Sequence, residues 1–202
     1  MSTSKRCAGF FSILVAAAAQ FFVSTAHATA LEPLAATMAS NRANDFATPP
    51  WKTLYGVPGV KWKAPPEKAG TRLSGVMTPV IPVDGVPRRL EVTIYGAPVG
   101  FHQVDIVATI KHGEKNAGST SVRFAPELFG RASVRRIFTT CDDDGAVSTT
   151  AHYAVEYEGH KPIFVGFDSG VGNSASTMMW RLHLTEAGML AASGPTCERQ
   201  KP

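Results

Sequence analysis

The sequence predicts an all-β fold, a single antiparallel β-sandwich or β-barrel domain behind a short helical or irregular, proline-rich amino-terminal extension. Three observations lead to this prediction. From Leu73 onward, apolar and polar residues alternate with a period of two, as in half-buried strands. Glycine-containing turn pairs such as Asp84-Gly85 and Glu158-Gly159 separate the alternating runs. No stretch alternates strands with helices of about 10 to 15 residues, which weighs against a parallel α/β sheet.

The first 30 residues have the order of an export signal. Lys5 and Arg6 precede an uncharged run of 16 residues, 8–23, and the motifs Ala26-His27-Ala28 and Ala28-Thr29-Ala30 follow it. This order is a basic region, an apolar region and an A-x-A cleavage site. The run is shorter than the roughly 20 residues that a membrane-spanning helix needs. We therefore predict a cleavable signal peptide over residues 1–28, cut after Ala28 or Ala30, and a periplasmic or secreted mature protein.

Loss of the signal changes the charge and the cysteine content. Residues 1–28 hold two basic residues and no acidic residue, so the formal net charge falls from +4 to +2. This small charge gives no argument for nucleic acid as a partner. Cys7 leaves with the signal, whereas Cys141 and Cys197 remain. We predict that these two form a disulfide that ties the tail, residues 188–202, to the domain, because neither lies in the C-x-x-C motif typical of redox thiols.

Residues 31–70 form the predicted extension. Leu34 and Met38 have a loosely helical spacing, which indicates either a short helix or a disordered lead-in. Residues 49–70 then hold five prolines and three glycines, a composition typical of irregular structure. No later segment of the chain reaches membrane-spanning length, so we expect no membrane span after signal cleavage.

Residues 71–187 form the predicted β domain. Four runs alternate clearly, and three shorter ones are further strand candidates. The clear runs are RRLEVTIY (88–95), HQVDIVATIK (102–111), VSTTAHYAVEY (147–157) and MMWRLHLT (178–185); the shorter ones are SVRF (121–124), SVRRIFTT (133–140) and PIFVGF (162–167). Residues 126–129 favour a single helical turn. Alternation assigns Tyr153, Val155 and Tyr157 to a buried face. It assigns His152, Glu156 and Glu158 to a wet outer face.

The predicted binding residues are Asp168, Ser169, Asn173, Ser174 and Arg181. The first four fall in a glycine-rich stretch before the last strand, which predicts a hairpin loop of nine to eleven residues able to offer several hydrogen bonds. Arg181 lies in the strand that follows. Together with the arginines elsewhere on the strands, it can bind an anionic envelope polymer or an acidic surface of another protein.

No catalytic residue, metal site or cofactor is predicted. The sequence contains no H-E-x-x-H, H-x-H or C-x-x-C motif. Met178, Met179 and His183 offer soft ligands of the kind that bind copper, but alternation turns Met178 inward with Trp180. The acidic run after Cys141 lacks the further oxygen ligands of a calcium loop and is typical of a hairpin turn.

These observations favour a non-catalytic exported binding protein. Such a protein would be a protein–protein or envelope-ligand module, and inhibition of an envelope-active enzyme is one form of that role. Two alternatives stay open. One is a periplasmic or secreted hydrolase with a cross-strand site drawn from Asp168, Ser169, His152, Glu156 or His183. The other is a structural or assembly subunit of the cell envelope that donates an edge strand.

Overall fold

The computed structural model describes residues 30–41, 51–65, 71–78, 81–83, 86–97, 100–111, 124–141, 149–171, 175–193 and 196–199. Within these ranges the chain forms short helices and antiparallel strands. The helices are α1 (Glu32–Ser40), α2 (Trp51–Tyr55) and α3 (Glu186–Ala191), with a 3-10 turn at Pro126–Phe129. The strands are β1 (Val60–Trp62), β2 (Arg72–Met77), β3 (Ile81–Val83), β4 (Val86–Arg88), β5 (Leu90–Ala97), β6 (Gly100–Lys111), β7 (Ser133–Cys141), β8 (Thr149–Glu156), β9 (Ile163–Val171), β10 (Ala175–His183) and β11 (Thr196–Arg199). The predicted antiparallel all-β fold is confirmed.

Nine of the described strands form one sheet, in the order β1-β2-β5-β6-β10-β9-β8-β7-β11. Strands β7 to β10 are neighbours in sequence as well as in space, and β10 then pairs with β6 to join them to the rest. Strands β3 and β4 form a separate hairpin. The predicted strands at 88–95, 102–111, 133–140, 147–157, 162–167 and 178–185 correspond to β5 to β10, and residues 121–123 lie outside the described ranges.

One face of the sheet, the core face, packs against α1. Period-two alternation puts Trp180 and its neighbours in β5, β6, β8 and β9 on this face, and α1 covers them with Leu34 and Met38. All three of these side chains are fully buried. The backbone N–H of Leu31 donates to the carbonyl of Leu128 over 2.8 Å, so the chain just before α1 is also held in the core. Burial of this apolar surface is the main stabilising term.

The described parts of the predicted extension, residues 31–41 and 51–65, contribute several side chains to the core. The helical alternative for Leu34 and Met38 is the one realised, as α1, and β1 adds a strand to the sheet through its pairing with β2. The indole N–H of Trp62 donates to the carbonyl of Tyr55 over 3.0 Å, which ties β1 to α2. No helix in the described ranges is long and apolar enough to cross a membrane. Residues 1–29 lie outside those ranges.

The tail returns to the sheet through β11. This strand pairs with β7, with Thr196 opposite Thr140 and Arg199 opposite Phe138. Cys141 is the last residue of β7 and Cys197 the second of β11, so the two cysteines lie on neighbouring strands. The disulfide itself stays a prediction.

Candidate functional site

The second face of the sheet, opposite α1, carries most of the buried polar residues. Among the described residues the buried polar or charged side chains are Arg88, Asp105, Thr139, Thr140, His152 and His183. Buried polar groups are more informative than exposed ones, because removal from water costs free energy unless a partner compensates. Three of these residues, Thr140, His152 and His183, line one cleft. A fourth, Asp105, pairs with an arginine that lines it.

This cleft, here called the His152 cleft, has a volume of about 60 Å³. Its walls come from four neighbouring strands and from the chain after α3. The lining residues are Thr140, Thr150, His152, Gly166, Asp168, Met179, Arg181, His183, Ala192 and Ser193. The volume admits a few water molecules or one small chemical group. It is far below the roughly 300–1,000 Å³ of a typical small-molecule pocket.

The space in the cleft exists because Gly166 has no side chain. This glycine lies in β9 with His152 of β8 on one side and Arg181 of β10 on the other. Neighbouring strands are about 4.8 Å apart, so the two flanking Cα atoms are roughly 10 Å apart with no side chain between them. A Cβ built at Gly166 would contact the His152 ring at 3.5 Å, which is an ordinary van der Waals distance. Glycine at this position therefore leaves space rather than relieving a clash, and a glycine inside a strand often marks the close approach of a ligand.

His152 is the most unusual side chain in the cleft, at 2% exposure. Its Nε2 lies 3.0 Å from the hydroxyl oxygen of Thr140, and its ring stacks on Phe138 with centroids 4.3 Å apart. Its Nδ1 has no hydrogen-bond partner among the described residues. Burial, with a further contribution from the positive charge of Arg181, lowers the pKa of His152 to about 4. The imidazole is therefore neutral at pH 7 and presents an unused nitrogen in the cleft.

Arg181 supplies the positive charge of the cleft. Its Nε lies 3.5 Å from a carboxylate oxygen of Asp105, and one terminal NH₂ group contacts the sulfur of Met179 at 3.4 Å. Gln103 donates a hydrogen bond of 2.8 Å to the same carboxylate. Burial raises the pKa of Asp105, while Gln103 and Arg181 oppose that rise. Because a thioether sulfur is a weak acceptor, that NH₂ group of Arg181 can still donate to a stronger acceptor, such as an oxygen of a ligand.

Helix α3 closes one side of the cleft. Thr185 caps the helix by accepting a hydrogen bond of 3.0 Å from the N–H of Gly188. Met189 packs in a small apolar cluster with Phe138, Ala154 and Phe164, and this cluster anchors the helix on the second face. The hydroxyl of Ser193 donates to the carbonyl of Met189 over 2.6 Å, which positions Ser193 at the wall of the cleft.

Two of the five predicted binding residues meet in the cleft. Asp168 and Arg181 both line it. Ser169 pairs with Met178, a core residue, and so belongs to the core face. Asn173 and Ser174 lie outside the described ranges.

The predicted long loop around Asp168 is wrong. Strand β9 continues to Val171 and β10 begins at Ala175. The polar and glycine residues of this stretch are typical of a loop. They can still form a strand, because strands pair through backbone N–H and C=O groups, which these residues also have. The predicted wet outer face is wrong at His152, which is buried on the side of the sheet that α3 and its cluster cover. Further along, Glu156 and Glu158 are exposed, as predicted.

Metal binding gains no support from this geometry. No group of three or more histidine, cysteine, aspartate or glutamate side chains in the described ranges is arranged to hold an ion. Met179 and His183 both line the cleft, but they are four residues apart on one strand, or about 13 Å. Met178 faces the core with Trp180, as the alternation predicts.

In comparisons with protein-family models, curated proteins and solved structures, nothing matches this chain.

Proposed function

We propose that this chain is a non-catalytic exported binding protein that recognises a protein or an envelope ligand through the His152 cleft. One observation carries the proposal: Arg181 and Asp168 meet a buried histidine with an unused nitrogen around the space above Gly166. Recognition sites combine a small concave space with a few polar groups that fix orientation. A space of about 60 Å³ suits one group at the end of a larger ligand better than a whole small molecule.

Hydrolysis is less well supported by the same geometry. A hydrolase needs a nucleophile and a base within hydrogen-bond reach, with room for the scissile bond beside them. Ser169, the one hydroxyl residue named for that alternative, belongs to the core face, whereas His152 and His183 line the cleft. The role of an assembly subunit is weakened by the outer strands of the sheet, because β1 and β11 have only three and four residues. Short edge strands are a common protection against strand addition.

Export is proposed from the sequence. The basic region, the apolar run and the A-x-A motifs precede α1 directly, and two cysteines remain after cleavage. An oxidising compartment would allow those cysteines to form a disulfide between β7 and β11.

A capture experiment tests the binding role. The purified protein is immobilised and exposed to an envelope extract, and retained proteins and glycans are quantified by mass spectrometry. We expect Arg181→Met, which removes the guanidinium but keeps an apolar stem, to abolish capture of at least one component. Arg135→Met, at an exposed arginine of β7, is the matched control and should leave capture unchanged. Equal capture by all three proteins would overturn the proposal, and so would ester or glycoside turnover that depends on His152.

A further inference from the structure

The charged groups described around the cleft are one guanidinium and two carboxylates, which restricts the ligand. The guanidinium of Arg181 lies 3.5 Å from a carboxylate oxygen of Asp105, and Asp168 lines the same cleft. An added oxyanion would be attracted by the guanidinium but repelled by the carboxylates, so its charge would contribute little to binding. A metal cation would be repelled by Arg181 and would lack a third ligand of the usual kind among the described residues.

The hydrogen-bonding groups, by contrast, are mixed. Arg181 can only donate, a carboxylate such as Asp168 accepts, and the neutral imidazole of His152 can do either through Nδ1, according to its tautomer. Thr140 and Ser193 also line the cleft, and their hydroxyls already bond to Nε2 of His152 and to the carbonyl of Met189. A ligand group that only donates or only accepts would leave part of this lining unused.

Resting on the proposed function, we infer that the His152 cleft takes one primary carboxamide, such as the end of an asparagine or glutamine side chain of a partner protein. The carboxamide oxygen accepts from the guanidinium of Arg181. Its NH₂ group donates toward the carboxylate of Asp168 and Nδ1 of His152, above the space that Gly166 leaves open. The group is uncharged and consists of three heavy atoms, which fits both the presence of charges of opposite sign and the volume of about 60 Å³.

Histidine NMR of the processed protein tests this assignment with small probes. Acetamide, acetate, inorganic phosphate, zinc ion and N-acetylglucosamine are titrated separately, and the ring signals of His152 are followed. We expect acetamide to give a saturable shift with a dissociation constant near 1 mM or weaker, because a ligand of so few atoms binds weakly. Gly166→Ala should lower the affinity for acetamide at least about tenfold, because the added methyl group fills the space that acetamide would occupy. A tenfold change corresponds to a loss of only about 1.4 kcal/mol of binding free energy. Thr109→Ala, at an exposed residue of β6, is the control.

Several outcomes would overturn the carboxamide assignment. Tighter binding of acetate, phosphate, zinc or N-acetylglucosamine than of acetamide would replace it with another ligand class. No saturable shift up to roughly 100 mM acetamide, or a shift that Gly166→Ala leaves unchanged, would refute it outright, because even weak fragments bind at such concentrations. If capture still depends on Arg181 while acetamide fails, only the ligand class is wrong. If neither the capture of envelope components nor the binding of acetamide depends on the cleft, the proposed function is wrong as well.

A separate observation, at the start of α1, bears on the processing site. Leu31 is fully buried, and its backbone nitrogen donates to the carbonyl of Leu128. Cleavage after Ala30 would turn this nitrogen into a charged α-amino group with three donors and one acceptor in the core. Burial of an uncompensated charge is strongly unfavourable. Cleavage after Ala28 leaves an ordinary amide there and retains Ala30, which packs against the core.

We therefore infer that the mature chain begins at Thr29. The intact mass of the protein purified from the envelope distinguishes the outcomes. A chain beginning at Thr29 is expected; one beginning at Leu31 would overturn this inference but leave export intact, and an uncleaved chain would overturn export itself. As a second measurement, a chain made to begin at Leu31 should unfold more easily than one beginning at Thr29. The difference in free energy of unfolding between the two chains should shrink as pH rises through about 8, where an α-amino group loses its charge. Equal stability at all pH values would refute the physical argument.

Discussion

The two faces of strand β10 meet very different surroundings. On the core face, Met178, Trp180 and Leu182 pack against apolar side chains and α1. On the other face, Met179, Arg181 and His183 line a polar cleft. The first face is filled by apolar packing, and the indole N–H of Trp180 has no hydrogen-bond partner there among the described residues. The second face instead buries several polar groups and does not use all of their hydrogen-bonding capacity. We therefore expect stability to depend mainly on the core face and the proposed recognition on the face with the cleft.

The largest expected effect is on the core face. Trp180→Ala should lower the free energy of unfolding by about 3–5 kcal/mol, because it removes a large buried side chain and leaves a cavity. Met179→Ala, the next residue on the same strand but on the cleft face, should cost about 1 kcal/mol, as is typical of point substitutions. Urea unfolding of both variants measures the difference. Equal losses would show that the two faces do not divide the roles.

The second largest effect on stability is expected from the predicted disulfide. It would hold β11 against β7, the strand that carries Thr140 of the cleft. Reduction of a Cys141–Cys197 bond should lower the free energy of unfolding by about 4 kcal/mol on the chain-entropy argument for a loop of this length. Mass spectrometry of the alkylated, unreduced protein measures the thiols. Two free thiols would contradict the pairing.

The histidine of the cleft should make stability depend on pH. Its folded-state pKa of about 4 lies below the ordinary value of 6.5, so the unfolded chain binds more protons between these two values. The stabilising contribution of neutral His152 is therefore complete above pH 6.5 and is lost as pH falls toward 4. The loss is at most roughly 3 kcal/mol. The difference in unfolding free energy between the parent and His152→Gln should change over this range, and a constant difference would argue against a buried neutral imidazole.

The smallest expected effect on stability is that of Gly166→Ala. Its added methyl group fits at ordinary contact distance, and replacing glycine in a compatible conformation stabilises by about 0.4–1 kcal/mol. The variant should therefore retain or slightly raise the melting temperature while it loses binding in the cleft. Calorimetry together with the acetamide titration checks both halves of this expectation. A large loss of stability would mean that Gly166 serves the fold rather than a ligand.

The core face could be predicted from the sequence because alternation alone assigns it. Trp180 and Val155 are recognisable as inward residues without knowledge of which strands are neighbours. The cleft could not be predicted in this way. It depends on the register that brings His152, Gly166 and Arg181 into one row across three strands, and on α3, which covers a face that alternation assigns to water.

The packing of α1 also has a consequence for the order of folding. Glu32, in α1, forms a salt bridge with Arg131, which is 99 residues later in the sequence. Strand β6 pairs on one edge with β10, which lies far along the chain. Contacts between such distant segments slow folding, because the intervening chain must first be brought together. Strands β7 to β10 can pair locally beforehand. We therefore expect the segment of α1 to be buried late in folding, so that its apolar side chains stay accessible to chaperones until most of the chain has been made.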